Sequence, residues 1–433
     1  MKNLKLSIPN DSISSEVFFA LQLRIANEPF LPKLKTFQCE DPTDEFIPFI
    51  PLFLSSKTSE ITIEFCDQSN MIADASIITR LPTLCPKLER ITLNNYRDPI
   101  IIEAVSEMLL ACNRDSLKAF SVDCPLTKEA QEVVCQLPKL SKLSMVIQGQ
   151  TRLPPVSLPN LTHIHLEYDD HHDWLQGFRG MAFEKLESVH FRSGSKQIGD
   201  FLGEFESVAL TTSIKNTLST FTFYASCSWD PNYSSLLSFK QLKILEIGFS
   251  CSGGCSSTVD DQVIITLAKA MPKLETLRLG GAPCGISTGA TIDGLINLAS
   301  CCPRLSALRV HFQADNLIDA ATNATTVPSL NSEWEVQREG CASMELEVGY
   351  IPIPPQSAST LALILLQIFP HILNVKYNNR EWETVAETVK KFRQIGTFVH
   401  HRGEGRRYVQ LSLQMTRHQE SGIDMKPRQE KAG

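Results

Sequence analysis

Apolar residues recur along this chain in one short phrase that returns many times. In each copy a leucine is followed three and five positions later by further apolar residues, as in Leu88, Ile91 and Leu93. A proline or a polar residue stands two positions before the leucine. Because apolar residues that flank a single polar one match the period of two of an extended chain, each phrase predicts a short β-strand with one buried side.

The copies are spaced regularly enough to define a repeat. Their L-x-x-L-x-L core is the signature of leucine-rich repeats, and the mean spacing of about 27 residues falls within the range of that class. Clear copies begin at Pro32, Pro86, Pro138, Pro159, Glu184, Lys240, Pro272 and Pro303, and weaker ones cover 61–63, 117–122 and 218–223.

Between the strand phrases the apolar spacing becomes helical. In the segment 259–271 the apolar residues Val263, Ile264, Leu267 and Met271 share one face, and Asp260 stands where a helix N-cap is expected. The sequence therefore predicts an α/β leucine-rich-repeat solenoid, a horseshoe with a concave parallel β-sheet and convex helices. Stacking of neighbouring repeats would supply the core that one repeat cannot form alone.

The regularity of the phrase divides the chain into four parts. We expect the repeat array over 1–312, an irregular insertion over 313–350, a closing α/β unit over 351–415 and a disordered tail over 416–433. The closing unit is predicted as a helix at 357–369, a strand at 372–377, a helix at 381–395 and a strand at 408–413.

Composition narrows the class of protein. The 433 residues are 42% hydrophobic and 21% charged, which is typical of a globular protein, and the net charge of −7 disfavours nucleic acid or an anionic membrane as partner. The chain begins without a recognisable secretory signal, so we expect a cytoplasmic or nuclear protein. The 13 cysteines then indicate small buried side chains rather than disulfides.

The polar residues between the apolar strand positions define the candidate site. They would line the concave face, where we expect a protein substrate to bind. The candidate partner-binding residues are His165, Glu167, His190, Arg192, Glu246, Arg278, Arg309 and His311. Arg278 and Arg309 occupy the same place in consecutive repeats, so their guanidinium groups could together bind acidic side chains, or they could pair internally with Glu246. A third interpretation is that exposed strands simply carry polar residues.

Other chemistry is weakly indicated. His163, His165 and His190, with the acidic and histidine-rich segment 169–173, could bind zinc, although a polar concave face followed by a solvated loop explains them better. Two further segments are typical of repeat loops: the pair Cys251 and Cys255, and the glycine-rich segment 280–289. The basic residues over 390–407 are typical of a solvated surface. We therefore expect no metal, no cofactor and no enzymatic activity.

The segments 261–279 and 298–310 resemble the degenerate repeats of F-box proteins, and with the phrase 46–54 the chain is similar to the large fungal group of that family. The resemblance implies a substrate-recognition subunit of an SCF-type cullin–RING ubiquitin ligase, whose F-box binds the adaptor. Before Leu34 there is room only for one strand phrase and one helix, so we expect the F-box to be absent from this chain. The adaptor is then a partner only if the full-length form has an F-box, and the alternative is an interaction scaffold unrelated to ubiquitination.

Overall fold

The fold is taken from a computed structural model of the chain. It describes residues 1–7, 15–25, 29–65, 70–94, 98–147, 158–168, 183–194, 201–210, 214–226, 231–250, 259–280, 290–310, 312, 344–348, 353, 357–377 and 380–400.

Within these described residues, fourteen strands form one open sheet in which every neighbouring pair is parallel and every strand lies beside the next one in the sequence. The strands are β1 (Asn3–Ser7), β2 (Thr36–Glu40), β3 (Glu60–Glu64), β4 (Arg90–Asn94), β5 (Ala119–Pro125), β6 (Lys142–Ile147), β7 (His163–Tyr168), β8 (Ser188–Ser193), β9 (Thr220–Ser226), β10 (Ile244–Ser250), β11 (Thr276–Leu279), β12 (Ala307–Arg309), β13 (Met344–Val348) and β14 (Ile372–Tyr377).

Described helices lie in many of the connections between strands and pack on one face of the sheet. They are α1 (Ser15–Ile25), α2 (Met71–Leu84), α3 (Pro99–Ala111), α4 (Lys128–Val134), α5 (Phe201–Leu210), α6 (Ile214–Thr217), α7 (Asp261–Ala270), α8 (Ile292–Cys301), α9 (Ala358–Ile368) and α10 (Glu381–His400), with short 3₁₀ helices at Ile47–Leu52 and Tyr233–Leu236. Of these described helices, none is both long and apolar enough to cross a bilayer.

Polar side chains begin several of these helices. Asn70, Asp98, Thr127, Asp260 and Thr291 each accept a hydrogen bond from a backbone N–H of the first turn. The bond from the Val263 N–H to Asp260 Oδ1 measures 2.8 Å and confirms the N-cap predicted there. Such caps satisfy backbone donors that have no partner within the helix and so fix where each helix starts.

The apolar positions of the strand phrase form the core between the sheet and the helices. Those predicted as buried are all at most 4% exposed: Leu88, Ile91, Leu93, Leu161, Ile164, Leu166, Leu274, Leu277, Leu279, Leu305, Leu308 and Val310. With one strand per repeat, parallel pairing and a buried ladder of leucines, the predicted α/β leucine-rich-repeat solenoid is confirmed.

The sheet continues further than the repeat phrase suggested. Strand β13 lies inside the segment 313–350 that we expected to be irregular, and it pairs with both β12 and β14. Met344, Leu346 and Val348 are buried in the period of two that marks a strand. The helices and the strand predicted over 357–395 are present as α9, β14 and α10, whereas the predicted strand 408–413 and tail 416–433 lie outside the described residues.

The described cysteines behave as apolar side chains. Cys39, Cys85, Cys112, Cys124, Cys135 and Cys302 are buried and free, and Cys301 is half-buried and free. Burial raises the pKa of the Cys112 thiol to about 12, so this group stays protonated and unreactive at neutral pH.

Candidate partner-binding surface

The face of the sheet opposite the core carries a column of side chains that crosses every strand. We call it the middle column: Lys5, Gln38, Thr62, Thr92, Ser121, Ser144, His165, His190, Thr222, Glu246, Arg278, Arg309, Glu347 and Lys376 are paired in register from β1 to β14. The predicted placement of the polar strand positions on one face of the sheet is confirmed for this column, because equal phrases place equal positions at the same height in a parallel sheet.

A second column, the outer column, lies two residues further along each strand. It places Val146, Glu167, Arg192, Tyr224 and Gly248 side by side on β6 to β10. Equal spacing of the phrases would align Asp123 with Val146, but a register shift after Ser121 sets Pro125 beside Val146 instead. Val146 is only 2% exposed and so contributes nothing to the concave surface.

Six side chains of these columns form an unbroken series of contacts across β6 to β11. Ser144 Oγ lies 3.3 Å from His165 Nδ1, and the rings of His165 and His190 meet edge to face with centroids 4.2 Å apart. The His190 ring lies 5.6 Å from that of Tyr224, whose hydroxyl donates a 3.0 Å hydrogen bond to Glu246. Arg278 closes the series with a 2.8 Å bond to Glu246. Sequence reasoning placed His165, His190, Glu246 and Arg278 here correctly.

Glycine makes room for the tyrosine in this series. A methyl group added at Gly248 would lie 2.5 Å from Tyr224 Cε1 and closer still to Cδ1, which is too short for two carbon atoms. Tyr224 can therefore lean across β10 towards Glu246 only because residue 248 has no side chain. Tyr224 was not among the predicted site residues, since a single sequence does not show which way a side chain leans.

The two imidazoles are held neutral. Desolvation by the surrounding sheet lowers the pKa of both rings, and His165 and Arg192 act in the same direction on His190, whose pKa falls from 6.5 to about 4. At neutral pH the middle of the concave surface therefore presents uncharged aromatic rings. Arg192 lies exposed beside them on the outer column.

The predicted pair of open guanidinium groups is not what the structure shows. Arg278 pairs with Glu246, which confirms the alternative interpretation, and Arg309 Nη2 donates a 2.7 Å hydrogen bond to Glu347 on β13. Each arginine is therefore already neutralised by a carboxylate of the neighbouring strand. Glu347 was missed because the alternation of Met344, Leu346 and Val348, which marks its strand, lies within the predicted insertion.

Several candidates lie outside the described residues. They are His311, the segment 169–173 of the possible zinc site, the pair Cys251 and Cys255, and residues 281–289 of the glycine-rich loop. Within the described ranges no group of three or more His, Cys, Asp or Glu side chains is arranged to hold a metal ion.

The comparisons with known proteins do not define this chain more closely than its repeat class does. No protein-family model matches this sequence, and no curated protein matches it. Among solved structures the chain is similar to a plant peptide hormone receptor, RGFR1 in complex with RGF2, with 12% identity and a TM-score of 0.32 over 80% of this chain and 48% of that one. The chain thus spans about half the length of that receptor. Its own sheet, register and buried ladder define it as a leucine-rich-repeat protein of the α/β solenoid class.

Proposed function

We propose that this chain is a protein-binding receptor that holds its partner against the concave face of the sheet. The unbroken series of contacts from Ser144 to Arg278 supports this proposal, because it orders aromatic and charged side chains over six strands on the face opposite the helices. Such a surface is the one that solenoid proteins use for extended partners.

A matched pair of substitutions tests which face binds. Ser144→Trp places a large ring on the middle column beside His165, whereas Ser300→Trp adds the same ring to the exposed surface of α8. Each variant serves as bait for proteins from the source cells, with bound proteins quantified by mass spectrometry. A partner kept by Ser300→Trp and lost by Ser144→Trp supports the proposal. A partner lost only by Ser300→Trp contradicts it.

At a finer level we propose a substrate-recognition subunit of an SCF-type ubiquitin ligase, acting in the cytoplasm or nucleus. The resemblance of segments 261–279 and 298–310 to the repeats of F-box proteins supports this role. The alternative is an interaction scaffold with no link to ubiquitination.

Binding to the purified cullin adaptor separates the two roles. The ubiquitin-ligase role expects a form of the protein that carries an F-box to bind the adaptor through it. A full-length form that does not bind the adaptor, yet still retains its concave-face partner, would identify the scaffold.

A further inference from the structure

Most cations of the concave face are already paired with carboxylates of the same face. Lys5 pairs with Glu40, Arg90 with Glu60, Arg278 with Glu246, Arg309 with Glu347 and Lys376 with Glu345, at nitrogen–oxygen distances between 2.5 and 3.5 Å. These pairs lie towards the two ends of the sheet, on β1 to β4 and on β10 to β14. A partner that bound there would have to break an existing ion pair.

The centre of the sheet is different. Lys142, His163, His165, His190 and Arg192 lie on β6, β7 and β8, and we call them the central patch. Lys142 is in register with His163, and His165 with His190. Lys142 and Arg192 are exposed, and neither forms an ion pair with a described residue.

Among the described residues, few carboxylates lie near the cations of the central patch. Glu167, in register with Arg192, is the one acidic residue that β6, β7 and β8 contribute to the concave columns. Glu187 precedes β8 and acts on His163 from the edge of the sheet. Ser144 on β6 and Tyr224 on the neighbouring β9 are neutral, whereas the neighbouring β5 carries the half-buried Asp123 on the same face. Among the described residues, the central patch therefore combines two cations that form no ion pair with three imidazoles and the carboxylate of Glu167.

The protonation of the histidines depends on whether an anion is bound at the central patch. Lys142 helps to lower the pKa of His163, and Arg192 helps to lower the pKa of His165 and of His190. An anion beside these cations would offset their field and favour the protonated rings. By linkage, a group that becomes easier to protonate on binding strengthens binding as the pH falls.

We infer that the central patch binds an acidic, extended segment of the protein partner, with Lys142 and Arg192 pairing its carboxylates. This inference rests on the proposed concave-face function. It follows from charge complementarity at the one region of the described concave columns where cations remain available. A segment lying across the strands would meet Lys142 first, then the imidazoles, then Arg192.

A display library of linear dodecapeptides tests the inference, with the purified chain as bait. Clones that bind the chain but not Ser144→Trp are kept, and their affinity is measured against Lys142→Gln, Arg192→Gln and, as a control of equal charge on the helical face, Lys269→Gln. We expect the clones to be rich in Asp and Glu. Each patch variant should weaken them about threefold to fivefold, as for exposed ion pairs, and Lys269→Gln should leave them unchanged.

A pH series supplies an independent measurement. Affinity for the acidic clones should rise from about pH 7 to about pH 5, and this rise should shrink in His165→Asn and His190→Asn. Acidic clones that bind Arg192→Gln and Lys142→Gln as tightly as the wild type would overturn the inference.

The remaining outcomes separate the inference from the proposed function. Neutral or basic clones whose binding is lost in Ser144→Trp would overturn the inference of an acidic segment and leave the concave-face function intact. If peptides with phosphoserine in place of Asp and Glu bind more tightly than the acidic clones, the inference of a carboxylate-rich segment is overturned in favour of a phosphopeptide. A library with no clone that distinguishes wild type from Ser144→Trp would count against both.

Discussion

The contact between Gly248 and Tyr224 gives the sharpest test of the concave surface. In Gly248→Ala the new methyl group would lie 2.5 Å from Tyr224 Cε1, so the ring must move by about 1 Å or more to reach ordinary contact. That shift would strain or break the 3.0 Å hydrogen bond from the Tyr224 hydroxyl to Glu246. Overpacking of this kind costs about 1–3 kcal/mol and the lost bond to a carboxylate about 1.5 kcal/mol, while alanine is favoured over glycine in a strand by about 0.5–1 kcal/mol, so we expect Gly248→Ala to lose about 1.5–4 kcal/mol.

The same substitution has the opposite effect once the ring is absent. In a Tyr224→Ala background the ring atoms that meet the added methyl group are gone, and no other described atom lies closer to it than 3.6 Å. Alanine is then favoured over glycine in a strand by about 0.5–1 kcal/mol. Urea unfolding of the four proteins, followed by circular dichroism, measures the coupling free energy, which should be about 2.5–4.5 kcal/mol. An equal cost of Gly248→Ala in both backgrounds would refute the packing described here.

Three further changes test the fold and the charges. Leu277→Ala, at a side chain with no exposed surface, should lower the free energy of unfolding by about 2–5 kcal/mol through the cavity it leaves, and a loss below about 0.5 kcal/mol would contradict the repeat register. Asp260→Ala removes the cap of α7 and should cost about 1 kcal/mol in the same assay. Because the folded pKa of His190, about 4, lies below its ordinary 6.5, the unfolded chain binds more protons, so stability should fall as the pH drops from about 6.5 to about 4, by less in His190→Asn.

The repeat class could be read from the sequence because its cause is local. The spacing of Leu88, Ile91 and Leu93 forces a strand with one buried side, and the recurrence of that spacing stacks each strand on the next. The same rule placed the middle column, since side chains at equal positions of equal repeats lie side by side. The rule failed at β5, where the pairing with β6 shifts in register between Ser121 and Pro125.

The identity of the ion pairs depended on side chains that meet only in the folded sheet. Arg309 pairs with Glu347, which is 38 positions away and lies in a strand that no repeat phrase predicted. Its partner could not be chosen from the sequence, because several carboxylates stand at similar heights and only the packing of β13 beside β12 selects one of them.

The sequence by itself determined the solenoid, its core and the face that carries the polar columns, because hydrophobic periodicity acts over a few residues. Only the tertiary structure decided which of those polar groups remain available to a partner. Neighbouring strands neutralise Arg278 and Arg309, whereas Lys142 and Arg192 form no ion pair with a described residue. The physical reason is that charge compensation depends on distances of a few ångströms between distant parts of the chain.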